Sequence, residues 1–249
     1  MATSQRLRLV IAYDGAHFAG WQSQKHGNTV QDHLERALRN VCGSSIRIHG
    51  AGRTDAGVHA LAQCAHADVP ANRLPTSRWA AALNGSLPPQ LRVLRCHRAR
   101  SDFHARFSAK GKVYRYRIWS GPYLPPLEYH RAWHLPRPVD LNLMRTAARQ
   151  FQGKHDFAGF AANRGRREQD TIRTIRSIAV RSRGFLWTLE FDGDGFLYKM
   201  VRLMVGAITN VASHKADVND LVRQLENRPG SLSRLAAPAD GLYLVRVRY

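Results

Sequence analysis

The chain has 249 residues, 44% of them apolar, so it is long enough to bury a real core and too apolar to be disordered. Lys and Arg number 38 against 18 Asp and Glu, a formal net charge of +20 that selects a polyanionic partner, nucleic acid first. No run reaches the roughly 18 apolar residues of a membrane span, and Cys42, Cys64 and Cys96 lie too far apart for a disulfide framework or a zinc site.

Taken in chain order, residues 6–13 alternate apolar and polar side chains and predict a strand. Thr29-Val30-Gln31-Asp32 resembles a capping box. Val30, Leu34, Ala37, Leu38 and Val41 follow at helical spacing, and Gly43 ends that helix. Strands are expected at 45–49 and about 58–69, a helix at about 77–84 and a strand at 91–98, giving the order βαββαβ. The second half repeats the order. A strand is expected at 112–119, then a helix capped by Asp140 with Leu141, Met144, Ala148 and Phe151 on one side. Strands at 174–181 and 185–192 are joined by the short turn Ser182-Arg183-Gly184. A long helix is predicted at about 196–213, a shorter one at 218–227 and a last strand at 241–249. Within the second half, residues 120–138 are rich in proline and aromatics and read as an ordered surface loop, not an interdomain linker. The fold class is therefore α+β. Two βαββαβ halves, 1–108 and 109–249, would form a broad, mostly antiparallel sheet with helices on one face and a central cleft.

Three stretches could carry chemistry. Asp55 sits in Gly50-Ala51-Gly52-Arg53-Thr54-Asp55-Ala56-Gly57-Val58-His59, where the glycines allow tight turns and close approach of a ligand. An Arg near a carboxylate favours its charged form, which suits a nucleophile or base; a carboxylate capping a turn is the commoner explanation of such a spacing. In Lys112-Val113-Tyr114-Arg115-Tyr116-Arg117-Ile118, strand alternation puts Tyr114, Tyr116 and Ile118 on one face and Arg115 and Arg117 on the other. That pattern fits base stacking with phosphate contact, or a half-buried strand with a solvated Arg face. The 196–213 helix is apolar nearly all round, yet Lys199, Arg202, Gly206, Thr209 and Asn210 share one stripe. An Arg there needs a partner: an internal carboxylate, an active-site acid or a substrate phosphate. Asp192-Gly193-Asp194-Gly195 lacks the rest of a calcium loop, and the twelve histidines show no metal-binding spacing.

The segment 50–59 resembles the catalytic segment of the tRNA pseudouridine synthase A family. Tyr13-Asp14-Gly15 with Phe18-Ala19-Gly20-Trp21-Gln22 is similar to that family's opening strand and loop. So are Leu83-Asn84-Gly85-Ser86-Leu87-Pro88, Phe103-His104-Ala105-Arg106-Phe107-Ser108-Ala109 and Lys112-Val113-Tyr114-Arg115-Tyr116. Gly153-Lys154-His155-Asp156-Phe157, Met200-Val201-Arg202-Leu203-Met204-Val205-Gly206 and Gly241-Leu242-Tyr243-Leu244-Val245 complete an ordered series along nearly the whole chain. The resemblance implies isomerisation of uridine to pseudouridine in the anticodon stem-loop of tRNA, at tRNA positions 38 to 40. It implies no metal and no cofactor, and a cytoplasmic homodimer that grips tRNA at the anticodon stem-loop and the elbow phosphates. It places the catalytic Asp on Asp55, and substrate-binding residues on Tyr114, Arg53 and Arg202, with Arg202 pairing Asp55. The basic stretch 163–170, with Arg164, Arg166 and Arg167, departs from the family pattern.

The chemistry agrees. A carboxylate can attack C1′ of the ribose or remove a C2′ proton, and the residues do not choose between these. A non-catalytic RNA-binding module and an RNA glycosylase are the competing readings. Charge alone generates one prediction. Affinity for tRNA should fall by about a thousandfold between roughly 50 and 200 mM salt, as expected when six or more phosphates are neutralised. Filter binding across that range measures it, and a nearly flat response contradicts a phosphate-gripping surface.

Overall fold

The computed structural model describes residues 4–25, 27–71, 73–162, 170–226 and 235–249, so most of the basic stretch, 163–169, lies outside the described residues. The described residues form a large sheet and five α-helices, and the chain divides into two compact units, Met1–Lys110 with Tyr243–Tyr249, and Gly111–Leu242.

In the first unit, strand β1 (Ser4–Tyr13) buries Leu7, Leu9, Ile11 and Tyr13 at alternate positions, the period the sequence predicts. It lies between β3 (His59–Pro70) and β4 (Leu91–Ala99), antiparallel to both. The short β2 (Ile48–Gly50) pairs with β3 and starts three residues later than the 45–49 expectation. Helix α1 (Val30–Cys42) opens on a full capping box: Thr29 accepts from the Asp32 N–H, and Asp32 accepts from the Thr29 N–H. It closes at Gly43, whose φ of +74° is the left-handed value glycine adopts freely. The predicted 77–84 helix begins as a 3-10 turn, Thr76–Arg78, and continues as α2 (Trp79–Asn84). Leu34, Leu38, Trp79 and Leu83 are fully buried, and each such side chain contributes on the order of 2 kcal/mol.

The last strand, β10 (Leu242–Arg248), was expected in the second half. Residues 243–249 cluster instead with the first unit, because Tyr243 and Leu244 pair in parallel with His59 and Ala60 of β3.

In the second unit, β5 (Gly111–Trp119) runs antiparallel to β9 (Leu186–Gly193), β9 to β8 (Ile172–Arg183), and β8 to β7 (Gly153–Asp156). A two-residue strand, β6 (Trp133–His134), lies parallel on β5 inside the proline-rich loop. Helix α3 (Leu141–Gln150) is capped by Asp140, which accepts from the Asn142 and Leu143 N–H groups. It packs on α4 (Met200–Ala212), and a shorter α5 (Val218–Leu225) carries its own capping box at Asp217. Phe151, Phe157 and Phe160 fill this core; the first and last meet edge to face at 4.8 Å.

Helix α4 is shorter than the predicted 196–213. Lys199 takes a left-handed φ of +57° and stands just outside the first turn, so it leaves the stripe it was assigned to. No helix among the described residues is long and apolar enough to cross a membrane.

Candidate active site

Asp55 lies in the irregular segment between β2 and β3, half-buried. It is the first residue of a turn closed by the Val58 N–H donating to the Asp55 carbonyl at 3.1 Å. Gly57 is the third residue of that turn, at φ +80°, the value a type II turn requires there.

The rest of the segment is fixed from several sides. Trp21 N–H donates to the Thr54 carbonyl at 3.0 Å, Ala51 N–H to the Cys64 carbonyl at 2.7 Å, and the Gln63 amide to the Gly52 carbonyl at 2.8 Å. The Thr54 hydroxyl, buried, shares a 2.7 Å hydrogen bond with Tyr13. The β1–β3 register shifts between Ile11 and Tyr13, where β3 carries one extra residue. Burial pushes the Tyr13 phenol up to about 12, against the opposing hydrogen bonds of Thr54 and Gln63, so it stays protonated.

Three glycines permit close approaches around this segment, two by backbone and one by an indole ring. A Cβ on Gly15 would fall 2.1 Å from the Val58 carbonyl oxygen, and one on Gly50 would fall 2.5 Å from the Trp21 ring. Gly20, at φ +91°, would place a Cβ 2.8 Å from the Thr54 carbonyl oxygen and 3.1 Å from the Asp55 carbonyl carbon. These contacts involve residues 29 and more positions apart, so local sequence patterns cannot reveal them; only the resemblance through Tyr13–Gln22 pointed there.

Arg53 is exposed, and its Nε donates to the Gln22 side-chain oxygen at 3.1 Å. His59 is buried, accepts from the Gly15 N–H at 3.0 Å, and stacks on Tyr243 at 4.5 Å. His59 and Tyr243 thus tie the start of β3 to the last strand.

In the second unit, Tyr114 on β5 is 8% exposed and meets Phe196 edge to face at 5.0 Å. The alternation predicted for this strand holds, with Tyr114, Tyr116 and Ile118 buried. Its arginine face is not simply solvated: Arg115 pairs with Glu190 at 2.9 Å and Arg117 with Glu128 at 2.8 Å. The Tyr116 hydroxyl donates to the Pro238 carbonyl at 2.7 Å, a structural role. Arg202 on α4 is half-buried. Its Nε donates to the Ala237 carbonyl at 2.6 Å, and Ala237 N–H donates back to the Arg202 carbonyl at 3.0 Å. That reciprocal pair lays residues 235–237 across the helix at Gly206, where a Cβ would fall 1.9 Å from the Leu235 carbonyl oxygen. Among the described residues no group of three His, Cys, Asp or Glu side chains is placed to hold a metal ion.

A family model described as tRNA pseudouridine synthase matches residues 9–108 and 147–249, a span that includes Arg53, Asp55 and Arg202. The chain belongs to the tRNA pseudouridine synthase family. It is an isomerase of the pseudouridine synthase class. Relatives called tRNA pseudouridine synthase A share its full length. The one from Akkermansia muciniphila is 46% identical, covering 98% of this chain and 95% of its own. The one from Geobacillus kaustophilus is 40% identical over 99% and 95%, and the one from Acetivibrio thermocellus 38% over 98% and 100%.

One titrating group supports the synthase's first unit. His66 on β3 is 3% exposed, and its Nδ1 accepts the Ala105 N–H at 3.1 Å, a bond that protonating that nitrogen would break. Burial, then His104, His49 and Arg6, lower its pKa to about 4, against the raising effect of Asp68. A histidine depressed in the folded state stabilises above its unfolded value and loses that contribution as pH falls toward its folded one. Stability should therefore decline as pH drops from about 6.5 to about 4. In His66→Asn, which keeps an acceptor but cannot titrate, denaturant melts should show a shallower decline; an unaltered acid limb contradicts the assignment.

Proposed function

We propose that this enzyme isomerises uridine to pseudouridine in the anticodon stem-loop of tRNA, at positions 38 to 40, with Asp55 as the residue that engages the target ribose. The observation that carries the reading is the fixed turn at Asp55. Its backbone is held by the Trp21 and Val58 hydrogen bonds and approached closely at Gly15 and Gly20. A pre-organised carboxylate loses little freedom when substrate arrives.

The reaction breaks the N1–C1′ bond, turns the uracil, joins C5 to C1′ and releases the C5 proton to water. Asp55 attacks C1′ or removes the C2′ proton at the start of that sequence. The target base leaves its stack first, at a cost of a few kcal/mol. Tyr114, Arg53 and Arg202 are the side chains we assign to binding the substrate, Tyr114 by stacking and the arginines by charge. The reading needs no metal and no cofactor. It takes the units as ferredoxin-like halves of an enzyme that acts as a homodimer and also grips the tRNA elbow phosphates. It places the protein in the cytoplasm, where the free thiols of Cys42, Cys64 and Cys96 persist.

Tritium release from tRNA carrying 5-tritiated uridine tests this directly. Wild type should release tritium and leave the base attached to the chain, whereas a glycosylase would free the base. Asp55→Ala should lower release by at least about a thousandfold, the order lost with an essential covalent or proton-transfer group, while tRNA binding stays within a fewfold of wild type. Release by Asp55→Ala at the wild-type rate contradicts the assignment.

A further inference from the structure

The segment from Ser101 to Ser108 combines two properties that rarely occur together. Nearly every residue of its backbone is tied down, yet it presents a large aromatic ring to water. Arg6 donates to the carbonyls of Ser101 and Phe103, and Phe103 N–H donates to the Arg100 carbonyl. His104 N–H donates to the Ser108 hydroxyl, and Ser108 N–H donates back to the His104 carbonyl. Ala105 N–H is held by His66, and the Ala105 carbonyl accepts from the Tyr249 hydroxyl at 2.7 Å. The N–H groups of Arg106 and Phe107 both point at His104 Nδ1, at 3.1 and 3.3 Å.

On this frame Phe107 is 77% exposed. Its ring stacks on His104 at 4.3 Å with an interplanar angle of 29°, and His104 in turn sits edge to face on the buried His66 at 4.6 Å. The double hydrogen bond onto His104 Nδ1 needs that nitrogen unprotonated, so the supporting ring is a neutral imidazole. Arg106 brings its guanidinium to 5.8 Å from the Phe107 centroid, and Lys110 beside the segment is exposed. A mobile exposed phenylalanine would need no explanation. One held out by a rigid frame gives up burial energy that the frame could have recovered by letting it fold back.

We propose that Phe107, backed by His104 and flanked by Arg106, is a stacking platform for an unpaired base of the RNA substrate. The ring supplies a flat apolar surface that is already immobilised, and Arg106 supplies charge for the adjoining phosphate. The net charge of +20 favours RNA over a second protein surface as the occupant. The inference rests on the reading of tRNA as substrate, and it assigns a contact made outside the Asp55 turn.

The test uses the full-length protein, an unmodified tRNA transcript and, as control, a fully paired RNA duplex. Phe107→Leu keeps apolar bulk and removes the aromatic face; Phe107→Trp keeps the face. Phe107→Leu should weaken tRNA binding by about tenfold, the scale of one base–aromatic stack. The salt slope should not change because no charge is altered, and duplex affinity should not change either. Phe107→Trp should bind tRNA within about twofold of wild type, since any aromatic face stacks on a base. Wild-type tRNA affinity in Phe107→Leu, or an equal loss on tRNA and duplex, overturns the proposal. So does a shift of Phe107→Leu to a smaller species in sedimentation with tRNA binding intact, which would make the ring a contact between copies. Binding is read separately from tritium release. An inactive wild type would sink the proposed reaction without touching the platform, and a Phe107-independent affinity would sink the platform alone.

Discussion

Backbone lying against backbone at Gly15 and Gly20, with the Trp21 ring lying against Gly50, is the constraint on which the Asp55 turn depends. At each position a single added carbon would meet a carbonyl or an indole ring at 2.1 to 2.8 Å, well inside contact distance. With the glycines in place, the loop after β1 closes over the segment between β2 and β3, and the Trp21–Thr54 hydrogen bond can form. Backbone hydrogen bonds at Thr54 and Asp55, with the Tyr13–Thr54 and Gln63–Gly52 contacts beside them, fix the turn that carries the carboxylate.

Several buried polar groups of the first unit meet specific partners. Tyr13 meets Thr54, Gln63 meets the Gly52 carbonyl, and His66 meets the Ala105 N–H. Leaving any of these unmatched would cost about 1 to 3 kcal/mol. The second unit uses the same device at Arg202, whose Nε bonds the Ala237 carbonyl while its own carbonyl accepts from the Ala237 N–H. The basic residues divide in a similar way. Arg6, Arg115 and Arg117 are engaged with Asp68, Glu190 and Glu128 and serve the fold. With only 18 acidic residues for 38 basic ones, most of the cationic surface has no internal carboxylate to meet and remains available to a polyanion.

Much of this was legible in the chain before any coordinates. Thr29, Asp32 and Gly43 wrote the start and stop of α1, and the alternation of β1 and β5 named their buried faces. These are local signals, set by hydrogen bonds and periodicity within one element. What escaped was non-local. The left-handed Lys199 cut four residues from the predicted 196–213 helix, and no residue type at that position announces it. Strand β7 carries Lys154, His155 and Asp156 with no apolar alternation, so it was seen only as a motif. The last strand was grouped with its sequence neighbours, whereas its parallel pairing with β3 is a contact across more than 180 residues. In the site, Gly57 marked the turn at Asp55, but the approach of Gly15 and Gly20 could be seen only in three dimensions.

The central claim is that the geometry of the Asp55 turn, and not merely the presence of a carboxylate, sets the rate. Gly20→Ala tests it most directly, because it leaves Asp55, Arg53 and every charge unchanged and pushes a methyl group against the Thr54 carbonyl. Single-turnover rates on a tRNA transcript at saturating enzyme, with the dissociation constant measured in parallel, are the measurement. The account predicts a rate lowered by about a hundredfold, the usual cost of misplacing a catalytic group by an ångström, with tRNA affinity within a fewfold of wild type. A folded Gly20→Ala enzyme that turns over at the wild-type rate would contradict it.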